Sequence, residues 1–294
     1  MKVLNIGSMN IDYVYSVDHI ILPGETQSTF SREVFLGGKG INQSIALAKA
    51  GIEVYHAGCI GEDGDLFLEA CAVHGVNAKH IRRLAGQTGS TVIQVDRRGQ
   101  NSILLYGGSN QALTEDFIDS VLEDFSAGDL LLLQNEVNLL PYIVDKAYEK
   151  GMKIVLNPSP FNEKIFALNL EKISLFLLNE VEGSQLTGKS APPEILECLR
   201  ACYPQAGIVL TLGKDGAYYA DAKQQYFQAA FPVEAVDTTA AGDTFTGYFI
   251  AGLIEKLPVP DLLKRSAKAS AIAVTRPGAI NSIPLREEVE KALA

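Results

Sequence analysis

The chain has 294 residues, of which 47% are hydrophobic, so it is long and apolar enough to bury a large core. Its 25 Lys and Arg against 35 Asp and Glu give a formal net charge of −10, which argues against binding to nucleic acid or to an anionic membrane. The four cysteines are too scattered for a disulfide framework, and the first apolar segment is too short for a signal or transmembrane segment. We therefore expect a cytoplasmic protein with a small-molecule partner.

Apolar runs of strand length recur along the chain. A buried strand is expected at 3–6, and from residue 53 strands at 54–57, 129–134, 153–156, 174–178 and 207–212 alternate with helical patterns. This rhythm predicts an α/β fold with a mostly parallel central sheet covered by helices on both faces, in three layers. Ligands of such folds bind beyond the carboxyl ends of the strands.

Two pairs of alternating segments fall outside this rhythm. Residues 13–17 and 30–35 form one pair, and 90–95 and 102–106 form a predicted hairpin. Together they predict a small second sheet, contributed by residues of about 12–36 and 89–107. An exposed small sheet needs a cover, so we expect it to act as a lid or as a subunit contact on one domain spanning 1–294.

Polar side chains follow the first strand. Asn10 and Asp12 stand at alternate positions and point the same way in an extended chain, which suits a ligand rich in hydroxyl groups. A turn in which both side chains bond their own backbone is the alternative.

A glycine-rich loop opens the helix that follows, in the order Gly37-Gly38-Lys39-Gly40-Ile41-Asn42-Gln43. Glycines let a ligand approach the backbone, while Lys39 and Asn42 supply donors. The loop is not a Walker loop, because no Gly-x-x-x-x-Gly-Lys-Ser/Thr occurs in the chain.

Further polar residues follow the later strands. Glu136 comes after 130–133, Asn179 and Glu182 after 174–178, and the segment 211–216 carries Thr211, Gly213, Lys214 and Gly216. Each has a plain structural alternative: Glu136 as a helix cap, Glu182 as an acidic first helical turn, and 211–216 as a hairpin turn.

The segment Val236-Asp237-Thr238-Thr239-Ala240-Ala241-Gly242-Asp243-Thr244-Phe245 joins a strand-like run to a helix. Its small residues allow close approach to the free N–H groups of the helix start, which form an anion site. Asp243 is then either a residue that favours the helix dipole or a general base beside the anion site.

This decapeptide, with the five preceding motifs and the segment 276–282 in order, resembles the ribokinase (PfkB-type) sugar kinase family over nearly the whole chain. The resemblance implies a ribokinase-like fold and transfer of phosphate from MgATP to a sugar, with Asp243 as catalytic base and Ala241, Gly242 and Asp243 as the anion hole. It implies sugar contacts from Asn10, Asp12, Gly38, Lys39, Asn42 and Glu136, and nucleotide contacts from Asn179, Thr211, Gly213, Lys214, Gly216 and Gly242.

The resemblance also implies two cation sites. Glu182 would hold Mg²⁺ largely through water, and a potassium site beside the anion hole maps to Asp237, Thr239, Ala273, Arg276, Gly278 and Ser282. Asp237 could instead only brace the turn. In this family the lid is often shared between two subunits, so a homodimer is expected.

Lys39 favours ribose as the sugar, because fructokinase-like relatives usually carry other residues there. Two departures from the family pattern are Ser109, in Gly107-Gly108-Ser109-Asn110, and Ala267, which stands where some relatives carry a nucleotide-contacting His. Kinases for deoxyribose, fructose, pseudouridine or another nucleoside are the alternatives within the family. A non-catalytic sugar or nucleotide sensor is the alternative of another class.

Overall fold

The computed structural model describes residues 1–294. Its strands are β1 (Val3–Ile6), β2 (Asn10–Ser16), β3 (Ser31–Gly37), β4 (Val54–Ile60), β5 (Asn77–Arg83), β6 (Gly89–Val95), β7 (Asn101–Tyr106), β8 (Leu130–Gln134), β9 (Lys153–Asn157), β10 (Leu175–Asn179), β11 (Gly207–Thr211), β12 (Gly216–Ala220) and β13 (Gln225–Ala229). Its helices are α1 (Lys39–Lys49), α2 (Asp65–His74), α3 (Glu115–Leu122), α4 (Leu140–Glu149), α5 (Glu180–Thr187), α6 (Pro192–Cys202), α7 (Ala241–Ile254), α8 (Val259–Ala273) and α9 (Arg286–Leu293).

Nine strands form the central sheet, in the order β13-β12-β11-β10-β9-β8-β1-β4-β5. The seven strands from β11 to β5 run parallel, and β12 and β13 extend the sheet antiparallel at one edge. The predicted α/β class with a mostly parallel sheet is confirmed.

Two large cores pack on opposite faces of this sheet, and strand alternation divides the apolar residues between them. In β8, Leu131 and Leu133 join the core that holds side chains of α3, α4 and α6, whereas Leu130 and Leu132 join the core that holds side chains of α1, α2, α7 and α8. Because successive strand side chains point to opposite faces, a continuous leucine run serves both cores. The result is the predicted three-layer arrangement.

The strand order reverses at β1. The chain leaves β1 towards β4 on one side and returns to β8 on the other, so the carboxyl ends of β1 and β8 border a topological switch point. Open α/β sheets bind ligands at such a crevice. Ser8 follows β1 there, and Glu136 follows β8.

A second sheet of four strands has the order β3-β2-β6-β7. It consists of the two predicted segment pairs, with β2 parallel to β6 and the other pairs antiparallel. Strand β2 begins at Asn10, so the polar residues after β1 start this sheet rather than a simple turn.

Two strands were not predicted from the sequence. β5 carries Lys79, His80, Arg82 and Arg83, and β13 has mostly exposed residues, so neither shows the apolar run on which the prediction relied. Both are edge strands of the central sheet, where one side lacks a neighbouring strand and charged or exposed residues are tolerated. All four cysteines are free thiols, and none of the nine helices combines the length and apolarity that crossing a bilayer requires.

Candidate active site

The side chain of Asp243 lies in the first turn of α7 and is buried. Its Oδ2 accepts a hydrogen bond from Asn42 Nδ2 at 3.0 Å, and its Oδ1 accepts one from Gln43 Nε2 at 2.8 Å. Ala240 precedes the helix with φ 58°, a left-handed conformation that is uncommon for a residue with a side chain. A Cβ added to Gly242 would meet no protein atom within 4 Å. The helix start is therefore open to a ligand beside a buried carboxylate.

The glycines of the loop before α1 are required by close contacts. Gly38 has φ 100°, and a Cβ there would lie 3.0 Å from the amide nitrogen of Asn10. A Cβ on Gly37 would lie 2.0 Å from Asp12 Oδ2, and one on Gly40 would lie 2.3 Å from the nitrogen of Ser8. At Gly40 the neighbouring atom belongs to the backbone, and at Gly38 the positive φ strains any other residue, so both positions need glycine, whereas at Gly37 the Asp12 carboxylate would have to move.

Asn10 and Asp12 lie on the same face of β2, as predicted. Asn10 Oδ1 accepts a hydrogen bond from Asn110 Nδ2 at 2.8 Å, and Asp12 Oδ1 accepts one from Thr91 Oγ1 at 2.5 Å. Burial raises the pKa of Asp12 to about 6, against the opposing effect of the Thr91 hydroxyl. Nearby Glu136 raises this pKa further, and Lys39 lowers it.

Lys39 brings positive charge to a group of carboxylates. Burial alone would lower the pKa of its ammonium, but attraction to Asp243, Glu136, Glu182 and Asp12 raises the pKa above its ordinary value. The amide nitrogen of Lys39 also donates to Glu136 Oε2 at 2.9 Å. The predicted sugar-contacting residues and Asp243 therefore share one electrostatic environment.

Glu136 lies between β1 and the glycine loop. Its Oε2 accepts hydrogen bonds from the Ser8 hydroxyl and the Lys39 amide, while burial raises its pKa. It does not cap the helix that follows: α4 starts at Leu140, with Leu139 as its N-cap.

Asn179 and Thr211 are direct neighbours at the carboxyl ends of β10 and β11. Asn179 Oδ1 accepts from the Glu182 amide at 2.9 Å, and the Glu182 carboxylate accepts from the Asn179 amide and side-chain Nδ2 at 3.1 and 3.0 Å. This is a capping box at the start of α5, so the structural alternative for Glu182 holds in the molecule. Each carboxylate oxygen still has lone-pair capacity for a water molecule.

The loop after Thr211 turns the chain into antiparallel β12. Gly213 and Gly216 have φ 51° and 129°, and a Cβ on Gly216 would lie 2.1 Å from the Gln228 carbonyl oxygen. Gly213 has open space beside its Cα, and Lys214 is exposed. The segment 211–216 therefore does form the hairpin turn that was the structural alternative. The turn also places exposed backbone and the side chain of Lys214 next to Thr211.

The residues predicted to hold potassium lie on two segments that are hydrogen-bonded to each other. The amides of Val236 and Asp237 donate to the Val274 carbonyl, and the Gly278 amide donates to Asp237 Oδ2 at 2.9 Å. Partial burial would raise the pKa of Asp237, but hydrogen bonds from Thr239 and Gly278 lower it. The Ser282 hydroxyl is buried and donates to the Ala279 carbonyl, while the Arg276 side chain pairs with Glu288 and leaves only its backbone as a ligand.

Some residues of the site were not predicted from the sequence. Ser8, Gln43, Thr91 and Asn110 each hydrogen-bond a predicted residue. Gln43 and Asn110 stood inside motifs already recognised, but nothing in their spacing indicated their partners. Ser109 donates to the Cys59 carbonyl at 2.7 Å, so its hydroxyl is engaged with β4.

No group of three or more His, Cys, Asp or Glu side chains in the 294 residues has an arrangement that could hold a metal ion directly. A hydrated Mg²⁺ bound through a single carboxylate requires no such group. Glu182 is the predicted residue whose chemistry fits that mode.

The fold and the site define an α/β enzyme with an acidic residue beside an open helix start, at the carboxyl edge of a parallel sheet. Residues 1–286 match the model of the pfkB family carbohydrate kinases. The chain belongs to this family, and it is therefore a phosphotransferase with an alcohol group as acceptor.

Similar proteins cover nearly the whole chain. A ribokinase from Haemophilus influenzae is 35% identical over 295 residues, which is 96% of this chain and 95% of the relative. A deoxyribokinase from Salmonella typhimurium is 29% identical and covers 100% of this chain and 99% of its own.

Two solved structures have closely similar folds. The crystal structure of ribokinase from Cryptococcus neoformans in complex with ADP has a TM-score of 0.87 at 31% identity, covering 99% of both chains. The structure of Arabidopsis thaliana ribokinase complexed with ribose and ATP also has a TM-score of 0.87, at 29% identity, covering 99% of this chain and 98% of that one.

The raised pKa of Asp12 predicts a pH-dependent stability difference for Asp12→Asn. Because the folded state holds this proton more tightly than the unfolded chain, the wild-type contribution is complete below about pH 4 and is lost as pH rises through about 6. The variant avoids this loss, so we expect it to gain about 2 kcal/mol over the wild type by pH 8, relative to pH 4. Urea unfolding at both pH values measures the difference.

Glu197→Gln is the control, because Glu197 is an exposed carboxylate on α6. It should show little pH-dependent change. An Asp12→Asn difference that is equal at pH 4 and pH 8 would contradict the prediction.

Proposed function

We propose that the chain is an ATP-dependent ribokinase that transfers the γ-phosphoryl group of ATP to the 5-hydroxyl of D-ribose, giving ribose 5-phosphate. The observation that carries the proposal is the buried contact between Asp243 at the open start of α7 and Asn42 of the glycine loop. A base, an anion site and a sugar-binding amide then meet at one point. The similarity to ribokinases solved with ADP, or with ribose and ATP, supports both substrates.

In this mechanism Asp243 accepts the proton of the sugar hydroxyl while the hydroxyl oxygen attacks the γ-phosphorus in line. The bond between the γ-phosphorus and its bridging oxygen breaks, and ADP leaves. The amides of Ala241, Gly242 and Asp243 stabilise the negative charge on the transferring group. The open space beside Gly242 is where a side chain would obstruct that approach.

The sugar is held by Asn10, Asp12, Gly38, Lys39, Asn42 and Glu136. Asn42 is buried, yet its Oδ1 has no hydrogen-bond partner within the chain. A buried amide oxygen without a partner is costly, and a sugar hydroxyl would satisfy it. Asp12 has one side-chain donor, Thr91, and so keeps further capacity to accept hydrogen bonds from hydroxyl groups.

The nucleotide is placed along the carboxyl ends of β10 and β11, with contacts from Asn179, Thr211, Gly213, Lys214, Gly216 and Gly242. Asn179 and Thr211 are adjacent there, and the exposed Lys214 supplies positive charge to a trianion or tetraanion that the overall charge of −10 repels.

Two cations complete the proposal. Mg²⁺, when bound through water to Glu182, would neutralise phosphate charge. Potassium would be held by Asp237 and Ser282 with the backbone of Thr239, Ala273, Arg276 and Gly278, an all-oxygen set that suits a hard cation. The Asp237 carboxylate accepts hydrogen bonds from Thr239 on its own segment and from the Gly278 amide on the other, and the second bond joins the two segments that would carry the ion.

We further propose that residues 1–294 form one kinase domain, whose second sheet, from about 12–36 and 89–107, covers the sugar and pairs with a second copy as a homodimer. β7 is an edge strand on which Ile103, Leu104, Leu105 and Tyr106 are all exposed, between 46% and 72%. An uncovered apolar edge strand invites a partner. The composition supports a cytoplasmic location.

A kinase for deoxyribose is the second candidate, favoured by the similarity to a deoxyribokinase over the full chain. Fructose, pseudouridine and other nucleosides are further acceptors within the same chemistry. A non-catalytic sugar or nucleotide sensor is disfavoured, because a binding protein gains nothing from a buried base beside an anion site.

Coupled ADP release with MgATP against ribose, deoxyribose, fructose and nucleosides tests the proposal, with each acceptor assayed in potassium and in a bulky organic cation. We expect the highest kcat/KM with ribose and faster turnover in potassium. Turnover with another acceptor alone would leave the Asp243 chemistry and overturn ribose. No turnover with any acceptor would favour the sensor.

Asp243→Asn removes the base while keeping the size of the side chain. We expect kcat to fall by about 100-fold or more, while ribose and ATP affinities measured by calorimetry stay close to wild type. Near-normal turnover would exclude Asp243 as the base. Thermal unfolding of the variant controls for loss of structure.

Ile103→Glu and Leu104→Glu place a charge on opposite faces of β7. We expect the wild type to sediment as a dimer and at least one variant as a monomer, because a carboxylate is costly in an apolar interface. The variant that dissociates identifies the interface face. A monomeric wild type, or two dimeric variants, would refute dimerisation through this sheet.

A further inference from the structure

A chain of buried side-chain amides leads from the backbone of α1 to the carboxylate of Asp243. Asn5 Nδ2 donates to the Gly40 carbonyl at 2.7 Å and to Ser44 Oγ at 2.9 Å. Gln134 Nε2 donates to Asn5 Oδ1 at 3.1 Å and to Gln43 Oε1 at 2.6 Å, and Gln43 Nε2 donates to Asp243 Oδ1 at 2.8 Å. Asn5, Gln43, Ser44 and Gln134 are all 0% exposed.

The order of donors and acceptors along this hydrogen-bond chain is fixed at the end where Asn5 meets the Gly40 carbonyl. The Gly40 carbonyl can only accept, so Asn5 must turn its NH₂ group towards it and its oxygen towards Gln134. Gln134 must then present its own NH₂ group, whose second hydrogen reaches Gln43 Oε1. Gln43 is thereby left with its NH₂ group facing Asp243, and Gln134 Oε1 is the one oxygen of these three amides without a hydrogen-bond partner.

The surroundings support the same orientation. The Ser44 hydroxyl accepts from Asn5 and contacts His56 Nδ1 at 2.8 Å. Burial lowers the pKa of His56 to about 4, so its ring is neutral near pH 7 and can accept from Ser44. Gly7 leaves room for Gln134, since a Cβ there would lie 2.4 Å from Gln134 Oε1.

The two oxygens of Asp243 are therefore held differently. Oδ1 is bound by Gln43, whose amide has its other end engaged by Gln134. Oδ2 is bound by Asn42, whose own Oδ1 has no partner and whose side chain lies in the proposed sugar site. A sugar that engages Asn42 can replace the contact at Oδ2, whereas nothing in the sugar site competes for Gln43.

We propose that Gln43 is a positioning residue for Asp243, which it holds through Oδ1 so that Oδ2 takes the proton of the sugar, and that Gln134 and Asn5 set the orientation of its amide. This inference rests on the proposed kinase function. A neutral amide suits the role, because it orients the carboxylate without supplying a positive charge that would compete with the incoming proton.

The test compares Gln43→Met, Gln134→Glu and a matched control in steady-state assays with the acceptor that the wild type phosphorylates. Gln43→Met keeps the length of the side chain and removes the donor. We expect kcat to fall roughly 10- to 100-fold, the range for a hydrogen bond to a charged group, while KM for sugar and ATP stays within about threefold.

The side chain at position 134 does not contact Asp243, but Gln134→Glu reverses the donor and acceptor order of the hydrogen-bond chain. A carboxylate at 134 can only accept, so Gln43 would turn its NH₂ group towards it and its oxygen towards Asp243. We expect kcat to fall by about tenfold or more, with KM again little changed. A merely structural role for Gln134 would lower the unfolding temperature without this selective loss of kcat.

Thr244→Val is the control, because Thr244 is 0% exposed, adjoins Asp243 in sequence and has an Oγ1 without a hydrogen-bond partner. It should keep kcat near wild type. Folded Gln43→Met with wild-type kcat, or a loss in KM rather than kcat, would overturn the role of Gln43 alone. A wild type that phosphorylates no acceptor would overturn the kinase proposal and this inference with it.

Discussion

The burial of the Asp243 carboxylate between α1 and α7 is the constraint on which the site depends. A charge removed from water needs fixed hydrogen-bond donors, and these come from Asn42 and Gln43 on the neighbouring helix. The two helices must approach closely for such short side chains to reach. Gly247, one turn beyond Asp243, makes this possible, because a Cβ there would lie 2.4 Å from the Cβ of Ala46. Small residues in one helix pair thus decide where the acid sits.

The concentration of carboxylates around Asp243 is a second constraint on the site. Asp12, Glu136, Glu182 and Asp243 all act on the ammonium of Lys39, so one cation is shared among four acids. One lysine facing four carboxylates does not attract a polyanionic nucleotide, and neither does a protein with a net charge of −10. In the proposed function its negative charge is met by backbone amides at the start of α7, by Lys214 and by the metal ion bound with it. Helix starts and hydrated cations suit this role because they leave the acids of the sugar site ionisable.

Much of the fold was predictable from the sequence, because buried parallel strands require apolar runs. β8, β9, β10 and β11 all appear within one or two residues of the predicted bounds. β5 and β13 were missed, since edge strands need no such run and β5 is rich in Lys and Arg. The glycines of the loop before α1 were recognised for another reason, the approach of a ligand to the backbone, whereas in the structure Cβ atoms on Gly38 and Gly40 would press on the backbone of Asn10 and Ser8.

The partners of the site residues were not predictable in the same way. Thr91 lies 79 positions from Asp12, and Asn110 lies 100 positions from Asn10. The pairing of β2 with β6, and of β6 with β7, brings these distant residues together. The spacing of residues along the sequence does not predict such long-range contacts. Asn179 and Glu182 show the opposite case, since a separation of three residues specifies a capping box directly. That local bond fixes the carboxylate whether or not a metal ion is near.

The raised pKa values of Asp12 and Glu136 indicate that donors within the chain do not fully satisfy the carboxylates of the proposed sugar site. Burial disfavours their charged forms, and the donors that reach them, Thr91 for Asp12 and Ser8 with the Lys39 amide for Glu136, do not fully offset it. A ligand rich in hydroxyl groups would supply the remaining donors and favour both carboxylates in their charged state. Asp243 differs in geometry, since each of its two oxygens has one side-chain amide donor, whereas both donors of Glu136 reach the same oxygen, Oε2. Unsatisfied acceptors suit residues that bind a polyol, and a held carboxylate suits a residue that must receive a proton at one oxygen.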